Sequence, residues 1–164
     1  MTKHLVLYLL IIVILVSCTQ ERQACLTPKI ASFKIECVHE PTDTSTIPID
    51  TALPNAVFGC FTSNGLVSTI YSLQSVFTLS LSSVSDTCKW LFTTDSLKHS
   101  FDTLVFYYQR QLQFLSNACG YAYFYSMDSM HTTHNNIDSA FIITKSVTND
   151  VKPTHIHIYI HPSF

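Results

Sequence analysis

The sequence predicts an all-β fold, a single antiparallel β-sandwich of immunoglobulin-like or related type, and three observations carry that expectation. Short runs alternate apolar and polar side chains, with turn-forming residues every ten positions or so. Charged residues make up only 12% of the chain, while Ser, Thr, Tyr and Phe are abundant, the composition of half-buried pleated surfaces. Beyond the N-terminal region, no segment holds an apolar stripe at helical spacing over three turns.

The chain opens on Met1-Thr2-Lys3-His4, followed by an unbroken apolar run from Leu5 to Val16. That run is too short for a membrane-spanning helix, which needs roughly twenty residues. A basic start, a short apolar stretch and a small residue before a break describe a secretory signal. Leu15-Val16-Ser17-Cys18 has the form of a bacterial lipobox. It predicts cleavage before Cys18 and acylation of the Cys18 thiol, making the membrane a partner through an N-terminal lipid anchor. The implied organisation is a signal peptide over 1–17, an acylated cysteine and tether over 18–27, and a folded domain over 28–164. Thr19 stands where aspartate commonly marks retention at the inner membrane, so the outer membrane is expected. Gln20, Glu21 and Arg22 include a single acid, which favours a periplasm-facing protein over surface export. Anchoring takes more than one acyl chain to be stable, and lipoprotein cysteines carry several.

Strands follow. Ala31, Phe33, Ile35 and Cys37 alternate with Ser32, Lys34 and Glu36, a half-buried strand. Residues 39–55 contain Pro41, Pro48 and Pro54 and read as a long irregular connection. Ala56–Thr62, Leu66–Leu73, Val76–Ser82 and Cys88–Thr93 read as strands, the first two joined by a hairpin at Asn64-Gly65. Phe101–Arg110, Leu112–Asn117 and Gly120–Ser126 continue the pattern. Met127–Asn136 is polar and carries His131 and His134, predicting a loop or a single helical turn. Ser139–Thr148 and Thr154–His161 close the chain as strands.

Composition excludes several functions. The 147 residues from Cys18 onward carry eight Lys/Arg and eleven Asp/Glu, a formal charge of −3. There is no basic stripe to neutralise phosphates, so nucleic acid is not an expected partner. Only three glycines occur, and no G-x-G-x-x-G or Walker pattern. Acylation of Cys18 leaves Cys25, Cys37, Cys60, Cys88 and Cys119, an odd number, so disulfides are expected with at least one free thiol. None of the cysteines shows C-x-x-C spacing.

The best chemical constellation is His155, His157 and His161 around Tyr159. Residues two apart on a strand share a face, so these side chains would line up together, with Ile156, Ile158 and Ile160 as core. Neighbouring imidazoles can bind Zn²⁺ or Cu²⁺, although a solvated outer face is the plainer expectation. Asp86, Asp95, Asp102, Asp128 and Asp138 fall at turns and strand edges, where aspartate usually holds local backbone. No G-x-S-x-G elbow occurs. Cys60 and Cys88 (beside Lys89) are candidate thiols, but reactivity needs an electropositive setting. Tyr107, Tyr108, Tyr121, Tyr123 and Tyr125 are dense enough for an exposed stacking platform, with alternate rings in the core as the plainer reading.

These residues resemble a family of small uncharacterised Bacteroidota lipoproteins built on a domain of unknown function. The resemblance lies in Cys18, Cys25-Leu26-Thr27-Pro28, Val57-Phe58-Gly59, Leu79-Ser80-Leu81 and Asp86-Thr87. It continues through Asp102-Thr103-Leu104-Val105-Phe106-Tyr107-Tyr108, Ala118-Cys119-Gly120-Tyr121 and Thr154-His155-Ile156-His157-Ile158-Tyr159. Ser80 stands where the family pattern has proline, and Cys37, Cys60 and Cys88 lie outside the pattern. The resemblance implies a disulfide between Cys25 and Cys119, an envelope location and a β fold. It supplies no catalytic residue and no cofactor. The expected role is therefore a non-enzymatic accessory or binding module of the cell envelope, with an envelope protein as a second candidate partner. The alternative is a metal-binding lipoprotein using the C-terminal histidines.

Overall fold

A computed structural model of the protein describes residues 24–25, 27–39, 49–62, 65–97 and 100–160. The Leu5–Val16 run, Cys18 and the residues up to 23, most of the proline-containing connection, Asn64 of the hairpin and His161 lie outside the described residues. The strands are β1 (Ser32–His39), β2 (Ile49–Asp50), β3 (Leu53–Thr62), β4 (Gly65–Gln74), β5 (Val76–Ser80) and β6 (Thr87–Thr93). They continue as β7 (Asp102–Ser116), β8 (Gly120–Thr132), β9 (Ile137–Ile142), β10 (Ser146–Val147) and β11 (Ile156–Ile160).

Two sheets face each other as a sandwich. One runs β10-β8-β7-β6-β3-β4. The other runs β2-β1-β11-β9, with β5 also paired to β1. β5 lies along Ser32–Glu36 and β2 along Val38–His39, so the two short strands share one edge of β1. The alternation read from the sequence becomes the inner faces: Phe33 and Ile35 from β1, Ile156 and Ile158 from β11, and Phe58 and Phe106 from the other sheet, all at most 1% exposed. Phe33 meets Phe106 edge-on at 5.0 Å, and Phe58 lies 4.9 Å from Phe77, ring centre to ring centre. Each such side chain gains roughly 1.5–3 kcal/mol from burial.

Five features differ from the sequence expectation. Residues 39–55, expected as an irregular connection, contain β2, paired with Val38 and His39, and the first residues of β3, where Leu53 lies opposite Gln74. β1 and β11 run parallel (Ile35 opposite Ile156) rather than antiparallel, because strands from opposite ends of a chain are under no hairpin constraint. Phe101–Arg110 and Leu112–Asn117 are one long strand, β7. Met127–Thr132 is strand, not loop: β8 stays paired with β7 as far as Thr132, opposite Leu104. Ser139–Thr148 divides into β9 and β10, which belong to different sheets. Within β3, Gly59 lets β4 lie close, since a Cβ there would come within 3.2 Å of Leu66 Cδ1.

Candidate functional site

The C-terminal histidines do not assemble. His155 has the expected parity but precedes β11 and is only 1% exposed, because the Ile143–Ser146 connection folds against it. Its backbone N–H donates to the Lys34 carbonyl (3.1 Å), while Ile143 N and Thr144 N both donate to its carbonyl. The ring is committed as well: Lys34 N–H donates to Nδ1 at 3.1 Å. An accepting Nδ1 puts the neutral ring's proton on Nε2, which is buried without a hydrogen-bond partner. Burial lowers the His155 pKa, the nearby Lys34 charge lowers it further, and the Ser146 backbone opposes both without reaching hydrogen-bond geometry at Nε2. His157 does face outward and spends its Nε2 on Glu36 (3.1 Å). A shared wet face holding both His155 and His157 is thus corrected, and His161 lies outside the described residues. His131 projects from β8 against Tyr107, and His134 contacts the Ile137 carbonyl. Among the described residues, no group of three His, Cys, Asp or Glu side chains could hold a metal ion.

Other reactive groups are tied to structure. Asp102 is fully buried at the start of β7, and its Oδ1 accepts from Thr133 Oγ1 (2.7 Å) and Asn135 N (2.7 Å). Its Oδ2 accepts from Asn136 N (2.6 Å) and Asn136 Nδ2 (3.1 Å). The carboxylate therefore pins the β8–β9 connection across more than thirty residues of sequence, a longer reach than the local role read from the sequence. Cys37, Cys60 and Cys88 are free thiols. Burial pushes Cys88 up to about 11 and Cys37 higher still, so both stay protonated at neutral pH, the opposite of an activated nucleophile.

The tyrosines divide by depth. Tyr108 and Tyr125 are buried and meet edge-on at 5.4 Å. The Tyr108 hydroxyl accepts from Ser82 N (2.8 Å) and donates to Ser82 O (3.1 Å), clasping the chain just past the end of β5. From there outward the opposing sheet has ended, and β7 and β8 continue as a two-stranded arm. Register pairs Leu112 with Tyr123 and Phe114 with Tyr121. Strand parity places all four on the face that carries Tyr108 in the core, yet they are 58%, 38%, 56% and 63% exposed. Phe114 and Tyr121 meet edge-on at 5.3 Å. Gln109, Gln111 and Gln113 occupy the opposite face of β7 and are exposed. Leu112 and Phe114 escaped the sequence reading, although their alternation with glutamines was visible. At the arm's root, Arg110 Nε donates to Asp86 Oδ1 (2.6 Å) and Nη1 to Ser83 O (2.8 Å).

A disulfide closes the arm's tip onto the chain's entry. Cys25 is bonded to Cys119, in the turn between β7 and β8, with a Cα separation of 4.8 Å. The first described residues thus start at the tip of the arm and lead down into β1.

No curated protein and no solved structure matches the chain. Residues 56–160, from within β3 to the last residue of β11 and including the whole arm, match the model of a family of unknown function. That span is well over half of the sequence, and the protein belongs to this family, DUF6452.

Proposed function

We propose that the protein is an envelope lipoprotein, acylated at Cys18 and held at the outer membrane facing the periplasm, with its sandwich in a non-enzymatic binding or accessory role. The observation that carries this reading is the exposed aromatic arm, bonded at its tip to the point where the chain enters the domain. Six residues separate Cys25 from the lipobox cysteine. A binding role through a surface is further supported by the condition of the groups best suited to chemistry. The His155 ring, the Asp102 carboxylate and the Cys88 thiol are each spent on, or suppressed by, the packing around them.

Metabolic labelling with a fatty acid tests the anchor. The wild-type protein takes up label and fractionates with the outer membrane, whereas Cys18→Ala loses the label and accumulates with its leader attached. Persistent labelling of Cys18→Ala refutes acylation at this residue.

A further inference from the structure

We infer that the tip of the β7–β8 arm sits in the headgroup region of the membrane and fixes the orientation of the sandwich on it; this rests on the lipoprotein reading above. The tether is short. Cys18 and Cys25 are seven steps apart along the chain, and at no more than 3.3–3.6 Å each these span at most about 25 Å. Cys25 is bonded to Cys119, so the arm's tip is restricted to the same short distance from the acyl chains. The tether therefore delivers one end of the sandwich, and always the same end, to the lipid surface.

That end is chemically suited to a lipid interface. From Gln111 to Tyr125 the sequence holds no charged side chain, so the tip can approach hydrocarbon without burying an ion. Its exposed face is Leu112, Phe114, Tyr121 and Tyr123. Aromatic rings with a polar edge or hydroxyl are the side chains that settle at membrane–water boundaries. Backbone groups pair across the arm from Gln111 opposite Phe124 to Ser116 opposite Gly120, and those on its two outer edges keep the tip in the hydrated headgroup region rather than the hydrocarbon. Two further apolar side chains lie at the same end: Ile30, just before β1, is 73% exposed, and Val84, on the connection that Arg110 holds, is 85% exposed. At the root of the arm, Arg110 and Asp86 neutralise one another.

The multiple acyl chains supply affinity, so the arm contributes direction. A single flexible tether would let the domain tumble over the membrane. Two points of contact, lipid and arm, hold the opposite end of the sandwich, where Leu73 and Leu97 lie, facing away from the membrane.

Hydroxyl-radical footprinting of the full chain, isolated from membranes and reconstituted in phosphatidylethanolamine–phosphatidylglycerol vesicles, tests this without any substitution. Phe114, Tyr121, Leu73 and Leu97 are comparably open in the protein alone, at 56%, 63%, 77% and 81%. On vesicles, oxidation of Phe114 and Tyr121 is expected to be lost while Leu73 and Leu97 remain oxidised. The same digest yields the mass of the Cys18 peptide, which tests the anchor separately. Acyl chains on Cys18 with an arm as open as the far end overturn the inference and leave the lipoprotein reading standing. An arm protected by vesicles on a chain without acyl groups supports the contact and overturns the anchor. An unprotected arm on an unacylated chain overturns both. Protection seen in whole envelopes but absent from protein-free vesicles makes the arm's occupant a protein and overturns the lipid assignment.

Discussion

His155 and Asp102 show two ways in which a polar side chain becomes structural, and each has a measurable signature. Burial and Lys34 hold the His155 pKa below 6.5 in the folded state, so the unfolded chain takes up a proton first as pH falls. Stability is then full above about pH 6.5 and declines as pH drops through the folded value. Thermal melts between pH 8 and pH 5 should show this decline, and His155→Gln, which keeps an acceptor for Lys34 N–H, should flatten it. Equal slopes for the two proteins would show that His155 is not the titrating group. Asp102 accepts four hydrogen bonds, two of them from backbone N–H groups. Asp102→Ala takes the acceptor from the buried Asn136 backbone N–H and from the partly buried Asn135 N–H, and should cost about 1–3 kcal/mol in urea denaturation, the range for a stranded buried group. A loss below about 1 kcal/mol would mean that water replaces the carboxylate. Sequence parity read His157 correctly as outward-facing. It misread His155, because parity assigns a side to a strand but says nothing about a distant segment folding over its end.

The strands themselves were mostly legible, since alternation over Ala31–Cys37 or Cys88–Thr93 is a local signal. Met127–Thr132 was not, and the reason is a bulge. Tyr108 pairs with Met127 and Tyr107 with Ser129, leaving Asp128 as an extra residue. Inward positions on β8 therefore shift from Tyr125 and Met127 to Met130, opposite Phe106, and the period-two pattern breaks at that point. β4 raises a different matter. It is the edge of its sheet, ten residues long without a single charge, and Ile70 is 60% exposed on it. Long uncharged edges template pairing between molecules. Ile70→Lys should slow aggregation of the concentrated protein in light scattering while changing stability by no more than about 0.5 kcal/mol. Unchanged aggregation would place the sticky surface elsewhere.

At the scale of the molecule, the sandwich was foreseeable and its wiring was not. Nothing local in Ile156–Ile160 states that its neighbour is Ile35–Val38, and nothing in Ile137–Val147 states that the run divides between two sheets. The Cys25–Cys119 bond closes a loop of 94 residues, for which chain entropy gives about 4–5 kcal/mol. The double variant Cys25→Ser/Cys119→Ser should lose up to that amount in urea denaturation and should free the arm's tip to proteolysis. A loss below about 1 kcal/mol would confine the bond's role to positioning the arm.

The parallel pairing of β1 with β11 has a temporal side. β1 emerges long before β11, with 121 residues separating Ile35 from its partner Ile156. Until β11 has emerged, one whole edge of β1 has nothing to bond to, and Phe33 and Ile35 have only part of their eventual cover. The domain therefore cannot be completed piecemeal from its N-terminus; the last strand must slot between β1 and β9 before the five-stranded sheet exists. Contacts so distant in sequence make for slow folding. During that interval the nascent chain exposes a partly bonded strand and a row of large apolar side chains. Truncation before Ile156 should leave the domain without a stable fold, as far-UV circular dichroism and urea denaturation would show.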